Sequence, residues 1–469
     1  MRLEEHEVII ILYVMDSLRA DFLSCYGCSK ETSPSIDQLA AEGVIFTHAF
    51  AQSTWTRASG ASLLSSTYPA LHGMRTLQDR LPPSIALLPE ELKKRGFKTI
   101  ALSTMANLSP FFGFQRGFDR FVEIYKEETA VRKSKKITYT RQGEIHFRKR
   151  GDDVPIVTSE DINSSLLPYL EENRERDVFV LAWSLDTHDP YFHRDRNLAR
   201  FVAPVEKMWL PKDIKQMHSE EERSHLKALY ADMIYYNDVH IGALIKKLKE
   251  MKVYDRTFFI LTSDHGEAFG EHRVSSHGGV PYDELVRVPL IMKFPQGEFS
   301  GTRAGLVQHI DVAPTILEWT GKAERVNLWQ GKSLSPLIRT QQEVNDFVFA
   351  DTQLNRNLPR CLMLRDQTHK YIEMNPGKFA IRGSFRQTLS PLFRSVVKQR
   401  MFFCLQEDPE EKVNLYRQER KKAQAFQARQ RLLMRECEVV SKTLQKGKDI
   451  RTDMDAQVAD QLHALGYFD

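Results

Sequence analysis

The run Val8–Met15, with no polar residue in it, is the feature that most constrains how this chain folds. A strand with one face in water alternates apolar and polar residues, whereas a strand covered on both faces does not. The run follows acidic residues, ends at Asp16 and is far shorter than the roughly 20 residues a membrane-spanning helix needs. It reads as a central strand of a sheet with helices on both sides.

The rest of the chain keeps a strand–helix rhythm. Ser33 and Pro34 start a helix that Gly43 stops. Val44–Phe50 is a second strand candidate. A helix over Pro89–Arg95 precedes the strand Lys98–Ser103, and one over Ser159–Asn173 precedes Val178–Leu185. A long helix over Ser219–Met251 precedes Thr257–Thr262, and Val288–Phe294 is a further short apolar run. This predicts an α/β fold with a mostly parallel central sheet flanked by helices. In such sheets the functional groups collect where strands end at their carboxyl side. Residues 1–330 are expected to form the catalytic α/β domain. Residues 123–155, charged and aperiodic, are expected to be an insertion or lid. Residues 331–469, with a polar helical stretch from Tyr416 to Lys448, are expected to be a smaller C-terminal subdomain.

Charge balance narrows the partners. Against 66 Lys and Arg stand 62 Asp and Glu, a net of +4, which argues against a nucleic-acid binder. The basic groups Arg132–Lys136 and Arg148–Arg150 read as solvated faces. Five cysteines, with Cys25 and Cys28 the one close pair, do not make a zinc site, and they fit a reducing, cytoplasmic compartment. No membrane span is expected. The polar C-terminal helices are candidates for homo-oligomer contacts, though their apolar positions are sparse for a coiled coil.

The reactive residues fall just after the strands. Asp16 follows the first. Asp186 and His188 follow Val178–Leu185, and Asp264 and His265 follow Thr257–Thr262. Three strands thus deliver carboxylates and imidazoles to one sheet edge, which is how a metal site is built on this architecture. The stretch Thr54–Pro69, rich in small and hydroxyl residues, reads as a loop entering a helix, whose free N–H groups suit an anionic ester.

Taken in order, Asp16 to Gly27, the Thr56 segment, Asp186 to Tyr191, Asp264 to Glu267, Val286 to Ile291 and Ile310 to Leu317 resemble the sulfatase-type branch of the alkaline phosphatase superfamily. Asp408 to Leu415 and Leu462 to Tyr467 are similar to that branch's C-terminal signature. The family's nucleophile stands in Cys-x-Pro-Ser-Arg, and matching through Ala61, Ser62, Leu63 and Leu64 puts Thr56 there, with Ala58, Ser59 and Gly60 at the Pro, Ser and Arg positions. A shifted match would use Ser53 and Arg57 but loses the register of the following helix. Sulfatases of this branch convert the Cys or Ser to formylglycine, which threonine cannot become. The resemblance therefore implies a Thr56 nucleophile of the phosphodiesterase or phosphonate monoester hydrolase kind. Sulfuric-ester hydrolysis without formylglycine, phospho-alcohol transfer, and a catalytically silent anion-binding protein are the alternatives.

The same match implies that Asp16, Asp264, His265 and the Thr56 hydroxyl hold one divalent ion. Ser17 stands where the family carries a second aspartate, so manganese or zinc is favoured over calcium or magnesium. A second metal, from Asp186, His188 or His193, and His277, is not expected. His188 and His277 are expected at the substrate as proton donor and oxygen partner. Arg57 and Arg19 are expected to clamp the small anionic ester, Arg19 having a salt bridge to Asp21 as its alternative role.

Overall fold

The computed structural model describes residues 7–127, 138–141, 144–147, 157–203, 219–321, 326–376, 399–444 and 456–464. The expected lid lies mostly outside these residues, as do the basic groups 132–136 and 148–150 and the last part of the C-terminal signature. Within the lid stretch, Thr138–Arg141 and Glu144–Phe147 pair as an antiparallel ribbon.

The apolar run forms β1 (Ile9–Met15), every residue of which is buried. Successive elements are α1 (Pro34–Ala41), β2 (Val44–Phe46), α2 (Thr56–Ser65), β3 (Lys98–Ser103), β4 (Arg120–Glu123), α3 (Ser159–Glu172), β5 (Val178–Ser184), α4 (Glu220–Glu250), β6 (Thr257–Thr262), β7 (Leu290–Lys293) and β8 (Gly301–Arg303). Eight strands make one sheet in the order β8-β2-β7-β6-β1-β5-β3-β4. The five from β6 to β4 run parallel, and β7 is antiparallel to both of its neighbours. β1 lies between β5 and β6, with Ile9 opposite both Val178 and Thr257, so neither edge nor face meets water. That placement is why its sequence lacks alternation.

α4 lies against α1 and α3. Its Asp238 accepts hydrogen bonds from the Ser35 and Ile36 amides (3.0 and 2.7 Å), capping α1 with a carboxylate from another helix. The apolar run at Val44–Phe50 breaks in two: Val44–Phe46 pairs in the main sheet, while Ala49–Phe50 joins a small sheet with Arg287–Val288 and Val307–Gln308. Val288–Phe294 divides likewise.

A second sheet follows, antiparallel throughout: β9 (Val348–Thr352), β10 (Arg360–Arg365), β11 (His369–Asn375) and β12 (Gln399–Cys404). The helix α5 (Arg420–Thr443) packs on it. Leu334, Leu337 and Ile338 belong to the core of the main domain, so the second sheet begins later in the chain than the change in sequence pattern near residue 330 suggests. The last described helix, α6 (Ala456–Ala464), also returns to that core through Val458 and Leu462. Among the described residues, no helix is long and apolar enough to cross a membrane.

Candidate metal centre and anion site

Asp16, Asp264 and His265 meet at the carboxyl ends of β1 and β6, fully buried, with one ligand atom from each inside a 4.8 Å cluster. The Asp264 Oδ1 accepts the amides of Ser17 (3.0 Å) and His265 (2.9 Å), and Ser17 reaches this pose at φ 60°. Ser17, the residue in place of the family's second aspartate, donates its hydroxyl to Asp16 Oδ1 at 3.0 Å. The His265 Nδ1 stands 2.8 Å from the Gly266 carbonyl. A carbonyl only accepts, so Nδ1 carries the proton and Nε2 presents a lone pair, the form a metal binds. The Asp264 Oδ2 lies 3.2 Å from that Nε2, and no hydrogen bond closes on it among the described residues.

The electrostatics point the same way. Burial, and then the neighbouring Asp264, push the Asp16 carboxyl above its usual range. Burial pushes Asp264 up to about 6 despite its two amide bonds. His265 is driven down to about 3 by burial and by His277, so it is neutral. Two buried carboxylates beside a neutral imidazole carry more negative charge than His188, 4.0 Å from Asp16, can balance, and a divalent cation fits that donor set.

Thr56 is the first residue of α2, a helix in which every residue is buried. Its Oγ1 lies 3.2 Å from His265 Nε2 and 3.4 Å from Asp16 Oδ2. The loop ahead of it is fixed from the second sheet and the glycine loop: Thr54 Oγ1 is 2.8 Å from Thr352 Oγ1, and the Thr54 carbonyl accepts the Gly278 amide at 2.7 Å. The positive end of the α2 dipole and the first-turn N–H groups therefore open beside the hydroxyl.

His188 and His277 form the opposite wall. Their rings are 4.8 Å apart, and His277 is 4.6 Å from the His265 ring. The His188 Nδ1 sits 2.6 Å from the Asp189 carbonyl, which puts its other nitrogen toward Asp16 at 4.0 Å with no hydrogen-bond partner among the described residues. Burial opposes its charge, but Asp189 and Asp16 outweigh that and hold its pKa at about 9, so it is an imidazolium at neutral pH. His277 Nδ1 faces Glu267 at 3.2 Å, and Glu267 also accepts the Tyr191 hydroxyl at 2.7 Å. His188, Asp189 and His277 also bring three donor atoms within 4.8 Å of one another.

Other expected residues are turned elsewhere. Arg19 bonds Asp21 through Nε and NH2, and Glu271 and the Glu267 carbonyl through NH1. Its salt bridge to Asp21 is the alternative role the sequence allowed. Arg57 donates to the Leu77 carbonyl and to Asn107, and its guanidinium lies 3.4 Å from the Phe112 ring centre. Asp186 binds the Ser159 amide and Ser184 hydroxyl at the start of α3, and His193 binds Asp232. Nothing in the sequence marks a role for Glu267, Tyr191 or Trp183. Glu267 and Tyr191 stand inside the stretches Asp264 to Glu267 and Asp186 to Tyr191, but only contact reveals that Glu267 faces His277 and takes the Tyr191 hydroxyl. Trp183 donates its indole N–H to Asp16 Oδ2 at 3.0 Å, and nothing in an apolar strand marks it.

A carboxylate–imidazole cluster that could hold a metal ion and a hydroxyl at a helix start thus stand together at the carboxyl edge of a mostly parallel α/β sheet. The chain belongs to the sulfatase family, whose model "Sulfatase" matches residues 8–322, and "N-sulphoglucosamine sulphohydrolase, C-terminal" matches residues 270–375. An ulvan-active sulfatase of Formosa agariphila is 24% identical over 77% of this chain and 65% of that protein, so the chain spans about two thirds of that relative's length. An arylsulfatase of Clostridium perfringens is 23% identical over 92% of this chain and 94% of that protein. The phosphonate monoester hydrolase of Agrobacterium radiobacter shares the fold, with TM-score 0.69, 18% identity, and coverage of 92% of this chain and 96% of that one.

Proposed function

We propose that this chain is a metal-dependent ester hydrolase that cleaves a phosphate or phosphonate ester through Thr56. The observation that carries the reading is the Thr56 hydroxyl within 3.4 Å of both Asp16 and His265, at the start of a buried helix. Asp16, Asp264 and His265 would hold a divalent ion, manganese or zinc by their oxygen and nitrogen donors, which supplies Lewis acidity to the hydroxyl and the ester oxygens.

Thr56 Oγ1 attacks phosphorus in line with the leaving oxygen. A bond forms from Oγ1 to phosphorus as the hydroxyl proton passes to Asp16 Oδ2, the phosphorus–oxygen bond to the leaving alcohol breaks, and His188 gives its Nε2 proton to that oxygen. The first-turn amides of α2 and the His277 side chain face the charge on the remaining oxygens. Water then attacks phosphorus and gives a proton back to His188 Nε2, the Oγ1–phosphorus bond breaks, and the proton held by Asp16 returns to Oγ1. Intact mass after brief incubation with a phosphonate monoester tests this. An adduct on the wild type that is missing from Thr56→Ala is the expected result, and turnover by Thr56→Ala at the wild-type rate refutes the reading.

The names of the relatives favour a second reading, sulfuric-ester hydrolysis. Oxidation of threonine cannot give an aldehyde because its Cβ carries a methyl group, so that reaction would need the Thr56 hydroxyl itself as nucleophile. A panel of aryl sulfates, phosphodiesters and phosphonate monoesters, each with manganese, zinc, calcium and magnesium, separates the two.

A further inference from the structure

We infer that Trp183 is a positioning residue for the cation site, setting the orientation of Asp16 from behind, and that Gly60 is there to make room for it. The inference rests on the cation reading above.

Trp183 is the penultimate residue of β5, paired opposite Val14 in β1, and is fully buried. Its Nε1 donates to Asp16 Oδ2 at 3.0 Å, while Ser17 Oγ donates to Oδ1 at 3.0 Å. Each oxygen of Asp16 is thus held by a donor, and the carboxylate plane has little freedom to turn. An indole N–H donates and never accepts, so it demands a lone pair from Asp16 and favours the ionised carboxylate that a cation needs.

Gly60 lies in the second turn of α2, at negative φ, where glycine has no conformational reason to occur and weakens a helix by roughly 0.5–1 kcal/mol relative to alanine. The reason is packing. A Cβ at this position would stand 3.1 Å from Trp183 Cη2 and 3.5 Å from Leu108 Cδ2. That is tighter than an ordinary carbon contact, and the indole is fully enclosed. A methyl group there presses the far edge of the ring and tilts the N–H away from Asp16. The helix that carries Thr56 and the strand that steadies Asp16 are therefore fitted to each other at this contact.

The test is metal affinity of the full chain, stripped with a chelator and titrated calorimetrically with Mn²⁺ and with Zn²⁺, beside thermal unfolding of the metal-free forms. Trp183→Phe keeps an aromatic ring and removes the donor. Its affinity is expected to fall about 10–100-fold, the usual cost of losing an outer partner of a ligand. Gly60→Ala, which leaves every polar group in place, is expected to weaken binding by a smaller factor. If Trp183 only fills space, Trp183→Phe lowers the unfolding temperature of the metal-free protein but binds metal within twofold of wild type, which overturns the inference. If Trp183→Phe does not fold, Gly60→Ala decides alone, and wild-type affinity there overturns it. Asp264→Asn separates this failure from failure of the cation reading. Wild-type affinity in Asp264→Asn, or no binding by the wild type, sinks the cation site and the inference with it. Loss of binding in Asp264→Asn with normal binding in Trp183→Phe sinks the inference alone.

Discussion

The Thr56 hydroxyl, fully buried at the start of α2, faces His265 Nε2 and Asp16 Oδ2, the groups proposed to hold the cation, with Asp16 as the acceptor for its proton. Thr56→Ala is expected to cost at least about a thousandfold in turnover while metal content is unchanged, measured by steady-state kinetics and metal analysis. His188 carries a separate expectation. Asp189 and Asp16 hold its proton up to about pH 9, against the effect of burial. A donor whose pKa is raised is charged below that value and loses its proton as pH rises through it. Hydrolysis of esters with poor leaving groups should therefore decline as pH rises through the His188 pKa, which a cation bound by Asp16 would bring below its metal-free value. His188→Gln should remove that decline and lower the rate about 10²–10⁴-fold for poor leaving groups, and far less for nitrophenyl esters. Asp16, just after one apolar strand, and Asp264 and His265, two and three residues after another, were legible as candidates from that placement, and the resemblance implied them as ligands. The arginines were not: Arg19 and Arg57 stand close to the site in sequence, but their donors go to Asp21, Glu271, Leu77 and Asn107. A long flexible cation takes the partner that folding brings near, and spacing along the chain does not specify it.

The long α4 and four of the five parallel strands, β1, β3, β5 and β6, were readable from period and caps, because each buries a whole face and has its own stop signals. β4 and β8 were not, since an edge strand of three or four residues with exposed positions has too little pattern to stand out. The division of Val44–Phe50 between two sheets is also invisible locally, as it depends on Thr47 bonding to Arg303 far along the chain. The cap that α4 supplies to α1 gives a test at this level. Asp238→Ala leaves two buried amides without acceptors and is expected to destabilise the protein by about 2 kcal/mol in urea unfolding, with kcat unchanged.

Polar contacts join the second sheet to the main domain. Asp283, from the main domain, binds Arg365 and Lys370 of the second sheet, and Thr352 meets Thr54 just ahead of the nucleophile. Glu271 instead ties elements of the main domain together, pairing with Arg19 and Lys227. Burial would raise its pKa, but Arg19 and Lys227 hold it down to about 2. A carboxylate depressed in the folded state stabilises it above the unfolded value near 4.5, and that stability is lost as pH falls toward 2. Glu271→Gln should therefore flatten the acid side of the stability curve between about pH 4.5 and 2, measured by urea unfolding. Metal has the opposite lever, since it binds the folded chain. A hundredfold excess over its Kd should add about 2.7 kcal/mol, and chelation or Asp264→Asn should remove the rise in unfolding temperature. The letters of the chain alone were enough for the class of fold, because an unalternated apolar run must be covered on both faces and leaves its polar successors at one edge, and the resemblance of those successors to a known family implied the proposed ligands. Which side chains stand behind those groups came from packing, because Trp183 meets Asp16 from 167 residues away, Gly60 fits a ring against a helix, and Glu267 joins Tyr191 to His277 only once the loops fold together.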